Sequence, residues 1–205
     1  MSNVSELVKQ VANCPILQTK ELRFEPLRHH HLDYLWPHVS QPDIPKYMSW
    51  DSHKNKEETS QFIAASVENQ AQGQSITWCI FSDREFLGIF SCIDILWQHR
   101  SLLYRKAEIA YWATAQARGK GMMTKTGKLL ISYGFVIFGL NKITVSHVRQ
   151  NTASKKLIER LGFRHISTQL EHFKKNGTWF DHLNYEMLHH ECAYLNFYEE
   201  NMDRQ

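Results

Sequence analysis

The sequence predicts an α+β domain built on a mixed, mostly antiparallel sheet that helices flank. Three observations predict this fold class. Three strand-like segments follow one another within residues 75–113, separated by short polar connections. Strand-like and helical patterns then alternate through residues 121–173. A hairpin turn at 175–177 finally precedes one more strand-like segment.

The first half of the chain contains mainly helical patterns. Apolar residues recur at helical spacing in three segments, and Gly73 is expected to end the last of them. Pro37 is expected to interrupt the second helix, because proline lacks the N–H that a helix interior needs. The predicted elements are helices at 5–13, 29–39 and 56–73, a strand at 21–27, and a loop rich in proline and aromatic residues at 42–52.

The second half of the chain is predicted to form most of the sheet. Residues 83–85 form the first turn, and residues 97–101 connect the next two strands. Apolar residues from Met122 to Ile137 fall at helical spacing, which predicts a helix that ends near Gly139. The other predicted elements are strands at 75–82, 85–96, 102–113, 141–148, 163–173 and 178–188, a helix at 152–162, and an unassigned tail at 189–205.

Length and composition indicate one globular domain, with or without a short appendage. The chain has 205 residues, 42% of them hydrophobic and 22% charged, and a formal net charge of +3. This charge is too small to indicate nucleic-acid binding, which requires a concentrated basic face. The longest apolar segment, 129–140, is shorter than the roughly 20 residues of a membrane span. Without a signal-peptide pattern, we expect a cytoplasmic protein that binds neither nucleic acid nor membrane.

Cysteine and histidine spacing predicts neither a disulfide nor a metal site. The four cysteines are far apart and form no Cys-x-x-Cys pair, which favours free thiols. Histidines cluster at 29–31 and 189–190, but no carboxylate or cysteine lies at ligand spacing beside them. We therefore expect these histidines at the solvated surface, without a metal.

The segment 116–130, QARGKGMMTKTGKLL, places two glycines and two basic residues directly before a helix. The first turn of a helix leaves amide groups unpaired and carries partial positive charge, and glycine lets an anion approach closely. The segment therefore predicts a phosphate site. A P-loop is excluded because Met122 occupies the place of its first glycine, and a dinucleotide fingerprint because Thr124 occupies the third glycine's place.

Gln116-Ala117-Arg118-Gly119-Lys120-Gly121 fits the Gln/Arg-x-x-Gly-x-Gly/Ala signature of the GNAT acetyltransferases, after a central strand as in that family. Longer stretches resemble the RimJ/RimL subfamily, in the same order along the chain. These stretches are ELRFEPL at 21–27, AEIAYWATAQARGKGMMTKTGKLLISYGF at 107–135, LNKITVSHVRQNTASKKLIERLGF at 140–163 and KNGTWFDHLNYEML at 175–188. The resemblance implies a GNAT domain at 20–188, with an N-terminal extension at 1–19 and a tail at 189–205.

The resemblance also implies where the cofactor, acetyl-CoA, binds. Its pantetheine arm is expected between the end of the fourth predicted strand and the strand that begins near Lys142. Its pyrophosphate is expected on the amides of Arg118 through Met123, with Ser154 close to the thiol. The implied binding residues are Tyr111, Trp112, Ala113, Gln116, Arg118, Gly119, Lys120, Gly121, Met122, Met123 and Asn151. Asn151 and Ser154 also suit a plain helix cap, and the two roles can coexist.

Acetyl transfer needs a neutral amine and a hydrogen-bond donor for the departing thiolate. Glu108, on the fourth predicted strand, is the first candidate for the base that accepts the proton of the amine. A structural hydrogen bond or an ion pair is the alternative role for this carboxylate. A glutamate on the strand before the hairpin serves as base in some members of the subfamily. Glu171 is the nearest candidate here, although His172 or Phe173 falls closer to the equivalent position. Ser154 is expected to donate to the thiolate.

The resemblance implies an acetyl-CoA-dependent N-acetyltransferase, with the N-terminal α-amine of a protein, such as a ribosomal protein, as the leading acceptor. Two alternatives stay open at this point, namely acetylation of a polyamine or aminoglycoside and a non-catalytic acyl-CoA-binding module. The acceptor surface is expected in the loop around 36–52 and the next helix. The acidic residues there form only a loose set, Asp43, Asp51, Glu57 and Glu58. The oligomeric state is left open between monomer and homodimer.

Overall fold

The computed structural model describes residues 3–83 and 85–202. The predicted turn at 83–85 and the predicted terminal segments extend into residues 84, 1–2 and 203–205, which lie outside the described residues. The helices are α1 (Val4–Ala12), α2 (Leu32–Val39), α3 (Lys56–Ala71), α4 (Met122–Val136), α5 (Thr152–Arg160) and α6 (Phe197–Asn201). The strands are β1 (Leu17–Gln18), β2 (Arg23–Pro26), β3 (Ile76–Ser82), β4 (Glu85–His99), β5 (Leu102–Ala113), β6 (Lys142–Val148), β7 (Arg164–Lys175) and β8 (Thr178–Leu188).

The strands form one sheet in the order β1-β2-β3-β4-β5-β6-β8-β7. Neighbouring strands pair antiparallel, except β5 and β6, which run parallel. Helix α4 connects β5 to β6, because a parallel pair needs a long crossover rather than a tight turn. The predicted fold class, a mixed and mostly antiparallel sheet flanked by helices, is confirmed.

The parallel pair separates before its strands end. β5 and β6 are paired only from Lys106 opposite Lys142 to Ile109 opposite Val145. Beyond that point β5 stays paired with β4 as far as Ala113, and β6 stays paired with β8 as far as Val148. The two halves of the sheet therefore diverge and leave a gap between residues 110–113 and the end of β6.

The two faces of the sheet pack against different helices. On the α4/α5 face, Ile109 of β5 joins a large core that includes Leu130 of α4 and Ile158 of α5. On the α2/α3 face, Trp112 packs with Leu35 of α2 and Ile63 of α3, among others. Successive residues of a strand point to opposite faces. The even-numbered residues of β5 from 108 to 112 therefore belong to the α2/α3 face.

Most predicted elements are present within two or three residues of their predicted bounds, and two differ for clear reasons. β4 continues through the predicted connection to His99, which pairs with Leu102 across a turn at Arg100. Beyond the core, backbone hydrogen bonds between the two strands of a hairpin hold the pair without buried side chains. The sequence of that part therefore shows no apolar alternation. α2 runs through Pro37 to Val39. The carbonyl that loses its helical N–H partner belongs to Asp33, an exposed residue, so water can bond to it.

The predicted solvated surface at the first histidine cluster is wrong for His31, whose exposure is only 1%. Its Nδ1 accepts the backbone N–H of Arg28 at 3.0 Å, so its single proton resides on Nε2, 3.3 Å from Oε2 of Glu25. Burial lowers the pKa of His31 and favours the neutral ring. His30 also lies beside this carboxylate, at 3.7 Å.

Glu25, His30 and His31 bring three possible ligand atoms within 4.8 Å of one another. The spacing of the histidines gives no sign of this carboxylate, because Glu25 comes from the adjacent β2. A metal on Nε2 of His31 would force the ring proton onto Nδ1, where the N–H of Arg28 already points. The cluster is therefore a hydrogen-bonded network, which fastens the start of α2 to β2.

The four cysteines are buried free thiols, Cys14, Cys79, Cys92 and Cys192. Within residues 3–83 and 85–202, no helix combines the length and the apolar character that crossing a membrane requires. The tail after β8 contains α6, and its backbone docks on α4, where the hydroxyl of Ser132 accepts the amide of Tyr198 at 3.1 Å.

Candidate active site

A cavity of about 610 Å³ opens where β5 and β6 separate. Four parts of the chain line it, namely the loop between α2 and α3, the end of β5, the turn before α4 and the start of α5. Among the lining residues are Ile44, Tyr47, Met48, Tyr111, Trp112, Ala113, Arg118, Gly119, Gly121, Met123, Asn151 and Ser154. The fold thus brings most of the predicted cofactor residues to one place. Gln116, Lys120 and Met122 lie beside it in the sequence, but they are not among its lining residues.

The turn before α4 leaves a row of backbone amides free. Gly119 and Gly121 have φ angles of +77° and +75°, a region that favours glycine. A Cβ atom at either position would meet nothing within 4 Å, so the space in front of this turn is open. The amide of Arg118 donates to the carbonyl of Ala115 at 3.3 Å. Among the described residues, the amides from 119 to 123 have no such partner, so the row is one residue shorter than the sequence predicts.

Basic side chains surround this row of amides. Arg118, Lys156 and Arg160 line the cavity, and Lys120 lies in the turn itself. All four are exposed, and none forms an ion pair with another of the described residues. Unpaired cations and the positive end of α4 together favour a phosphate-bearing ligand.

Two hydroxyl groups meet on the α4/α5 side of the gap. The hydroxyl of Tyr111 lies 2.9 Å from Oγ of Ser154. Oδ1 of Asn151 accepts the backbone N–H of Ser154 at 3.1 Å, which makes Asn151 the cap of α5. Burial raises the pKa of Tyr111 to about 12, although its bond to Ser154 acts in the opposite direction. The phenol therefore keeps its proton at neutral pH and is available as a hydrogen-bond donor.

Glu108 lies on the α2/α3 face, so the sheet separates it from Ser154. It is half-buried, and the hydroxyl of Ser146 on β6 donates to its Oε1 at 2.8 Å. A second cavity of about 280 Å³ opens here, and polar residues of β6, β7 and β8 share its lining with Glu108, among them Ser146, Gln169 and Asn184. A carboxylate on one face of the sheet and a hydroxyl pair on the other therefore lie close in sequence to the point where β5 and β6 separate.

Glu171, the alternative base, occupies a different environment. It is an exposed residue of the edge strand β7, where a φ of +45° marks an irregularity in the pairing. Its amide donates to Oδ1 of Asp181 at 3.0 Å, and Oδ2 of Asp181 accepts Nε of Arg149 at 2.8 Å. These bonds hold the pKa of Asp181 below its usual value. Glu171 is not among the lining residues of either cavity.

Two features of this site are not predicted from the sequence. Strand alternation places Ser146 on the α2/α3 face, but its bond to Glu108 depends on the register between β5 and β6. The pair of hydroxyls depends on how α5 packs over β5, and no local pattern gives that packing. Alternation along β5 does predict the separation of Glu108 from Tyr111, because odd and even positions face opposite sides.

The free amides, the cations and the open strand edge suit an extended cofactor that carries phosphate. The chain matches the model of the acetyltransferase (GNAT) domain over residues 21–164. It belongs to this family of acetyl-CoA-dependent N-acetyltransferases.

Individual relatives agree with this assignment. The chain is 33% identical over 87 residues to YdaF of Bacillus subtilis (strain 168), whose name describes a ribosomal N-acetyltransferase. That match spans 42% of the chain and only about half, 48%, of the relative. The chain is also 22% identical to the spermidine N(1)-acetyltransferase of Escherichia coli (strain K12), over 77% of the chain and 81% of the relative.

A solved structure supports the fold. RimL, a ribosomal L7/L12 α-N-protein acetyltransferase in complex with coenzyme A, superposes with a TM-score of 0.73 at 19% identity. The superposition covers 84% of this chain and 97% of RimL.

The free amides beside Gly121 generate a prediction about the cofactor. Acetyl-CoA should raise the melting temperature of the protein by mass action. Gly121→Asp places a side chain and a negative charge in the open space, so this shift should disappear. Gly177→Asp is the matched control, because Gly177 has a φ of +79° and equally open surroundings outside the cavity. Calorimetry that finds equal affinity in Gly121→Asp and the wild type would contradict the phosphate assignment.

Proposed function

We propose that the protein acetylates the N-terminal α-amine of a protein, and that this amine reaches the gap from the α2/α3 face. The observation that carries the proposal is the charge of the two cavities. Among their lining residues, the carboxylates are Asp43 and Glu108, one in each cavity. Such a site suits an acceptor with a single amine better than one with several positive charges.

A polyamine carries several separated cations and needs several carboxylates to replace their water. Of the four acidic residues in the predicted acceptor region, only Asp43 lines either of the two cavities described above. Asp51 lies 3.2 Å from the ammonium of Lys175, and the carboxylate of Glu58 accepts the amide of Lys54 at 2.8 Å. Glu57 contacts Gln61 on the outside of α3, at 3.3 Å.

The names of the relatives support an amine acceptor of either kind. RimL and YdaF are named for ribosomal proteins, and the former for an α-N-acetyltransferase activity. By analogy, a ribosomal protein is the first acceptor to consider. The spermidine acetyltransferase makes a polyamine the second candidate. Its identity to the chain is lower than that of YdaF, but its match covers more of the chain.

An α-amine also fits the chemistry that one carboxylate can provide. Acetyl-CoA supplies an acetyl thioester, which only a neutral amine can attack. An α-amine has a pKa of about 7.7 to 8.0, so a sizeable fraction is neutral at physiological pH. Glu108 needs only to accept the proton that the amine loses, directly or through one water molecule. The hydroxyl of Ser146 holds the carboxylate in place for this step.

Ser154 serves the other side of the gap, where the thiolate departs. A thiol has a pKa of about 8.5, well below that of the buried Tyr111, about 12. Proton transfer from Tyr111 to the thiolate is therefore unfavourable. Either hydroxyl can donate in the 2.9 Å bond between them. When Tyr111 is the donor, the hydrogen of Ser154 is free to point at the sulfur. The two hydroxyls thus stabilise the leaving group by hydrogen bonding rather than by acid catalysis.

Release of coenzyme A with a panel of acceptors tests the proposal. The panel contains peptides with a free N-terminus, the same peptides with a blocked N-terminus, spermidine, spermine and an aminoglycoside. We expect turnover with the free peptides only, and mass spectrometry should place the acetyl group on the α-amine. A kcat/KM for spermidine that equals or exceeds the value for every peptide would assign the polyamine function instead.

The position of Glu108 generates a prediction about the base. Glu108→Gln keeps the shape of the side chain and removes the proton acceptor, so kcat should fall by about 100-fold or more. The affinity for acetyl-CoA should hardly change, because Glu108 lies on the other face of the sheet. Glu171→Gln is the matched control and should retain wild-type rates. Full activity of Glu108→Gln across the pH range would show that another group, or water, acts as base.

The hydroxyl pair generates a prediction about the leaving group. Ser154→Ala should lower kcat by about 10- to 1000-fold, as losses of single transition-state donors do, and leave KM for acetyl-CoA nearly unchanged. Tyr111→Phe should lower kcat less, because Ser154 keeps its own hydrogen. Asn151 rather than the Ser154 hydroxyl caps α5, so Ser154→Ala should retain its melting temperature. A destabilised Ser154→Ala with an intact kcat would contradict the proposed role of Ser154 as donor to the thiolate.

A further inference from the structure

Lys175 makes an unusual set of contacts for a lysine in a hairpin. It is the last residue of β7, and its Nζ donates to the carbonyls of Pro45 at 2.7 Å, Met48 at 2.9 Å and Trp50 at 2.6 Å. An ammonium group has three N–H donors. All three are therefore taken up by the backbone of a single loop more than 120 residues away in the sequence.

The side chain of Lys175 is mostly buried, so the carbonyls replace water around its ammonium. Only 14% of the Lys175 side chain is exposed, so the ammonium has exchanged most of its water for these carbonyls. The carboxylate of Asp51 lies 3.2 Å away but is 87% exposed, and water screens its charge. The three carbonyls are thus the main partners of the ammonium.

The loop that Lys175 holds, residues 40–55 between α2 and α3, forms one wall of the large cavity. Its 3₁₀ turn Pro45–Tyr47 and the adjacent Met48 provide two of the three carbonyls, and Ile44, Tyr47 and Met48 line the cavity. The loop has little regular structure of its own, and its backbone bonds include Met48 to Pro45 and His53 to Val39. The position of the wall therefore depends on contacts with another part of the chain.

The bond crosses the gap in the sheet. The loop belongs to the half that contains α2 and α3, whereas β7 and β8 belong to the half beyond the gap. The hairpin projects at the end where β5 and β6 diverge, because β8 starts at Thr178 and reaches the end of β6 only at His182. Lys175 consequently ties the two halves together on the side from which the amine would enter.

We infer that Lys175 is a positioning residue, which fixes the loop as the wall that the acceptor contacts and thereby sets the affinity for the acceptor. This inference rests on the proposed function. Lys175 itself does not touch the reacting atoms. Its removal should loosen the loop and impair acceptor binding, while the phosphate site at the start of α4 stays intact.

Two substitutions and a matched control test the inference. Lys175→Met keeps most of the aliphatic side chain and removes every donor, and Lys175→Gln retains two N–H donors. Lys174→Met is the control, because Lys174 lies in the same hairpin with its ammonium 5.8 Å from the centre of the Trp179 ring. It removes the same charge without affecting the loop.

The first readout is hydrogen exchange of the loop amides, which needs neither cofactor nor acceptor. In Lys175→Met the amides of residues 42–52 should exchange about 10-fold faster or more, because the loop opens more often. Lys175→Gln should lie between this variant and the wild type, and Lys174→Met should match the wild type. Equal exchange in Lys175→Met and Lys174→Met would overturn the inference.

The second readout uses the acceptor that the panel identifies. KM for that acceptor should rise about 10-fold in Lys175→Met with a smaller change in kcat, as expected for lost binding in both ground and transition states. The Kd of acetyl-CoA should stay within about 3-fold of the wild-type value. An unchanged acceptor KM would overturn the inference. If the wild type acetylates no amine, the proposed function fails, and loop exchange still decides whether Lys175 holds the loop.

Discussion

The separation of β5 from β6 is the constraint on which the rest of the structure depends. A parallel pair that stayed closed would satisfy its backbone groups within the sheet and leave no room for a ligand. Here each strand keeps its antiparallel neighbour to the end, and only the shared edge opens. The open edge at residues 110–113 can accept an extended arm as an added strand does. The turn before α4 comes soon after β5, so the proposed phosphate site would lie at the end of that arm.

The gap also divides the chemistry between two faces. Because strand residues alternate, β5 presents Tyr111 to the α4/α5 face and Glu108 to the α2/α3 face. The proposed base and the proposed donor to the thiolate therefore cannot contact each other across the sheet. Such a separation suits a transfer in which the amine loses a proton on one side and the sulfur gains a hydrogen bond on the other. Each group can keep its own environment, with Ser146 beside Glu108 and a buried phenol beside Ser154.

The sequence predicts the features that depend on local pattern. Strand alternation, helical spacing and the glycines of the turn give the order of elements and the open turn before α4, because each is encoded within a few residues. The prediction of an exposed side chain fails for His31, because the carboxylate that pairs with this ring lies on β2. The sequence also does not reveal the partners of Lys175, because a lysine before an Asn-Gly turn normally extends into solvent. Contacts between distant segments decide both cases, and a single sequence carries no direct signal for them.

The β7–β8 hairpin shows how such distant contacts combine. Asp181 of β8 accepts Arg149, the residue after β6, and the amide of Glu171 in β7, so it fixes the hairpin to the sheet at the irregular point of the edge strand. Lys175 extends from the hairpin beyond this point. The order of contacts runs from β6 through Asp181 and β7 to Lys175, and ends at the loop that lines the cavity. If the protein has the proposed function, the loop that the acceptor contacts is therefore supported by the half of the sheet that does not carry the proposed phosphate site. Changes in the loop or the hairpin can then alter the choice of acceptor while the cofactor site keeps its geometry.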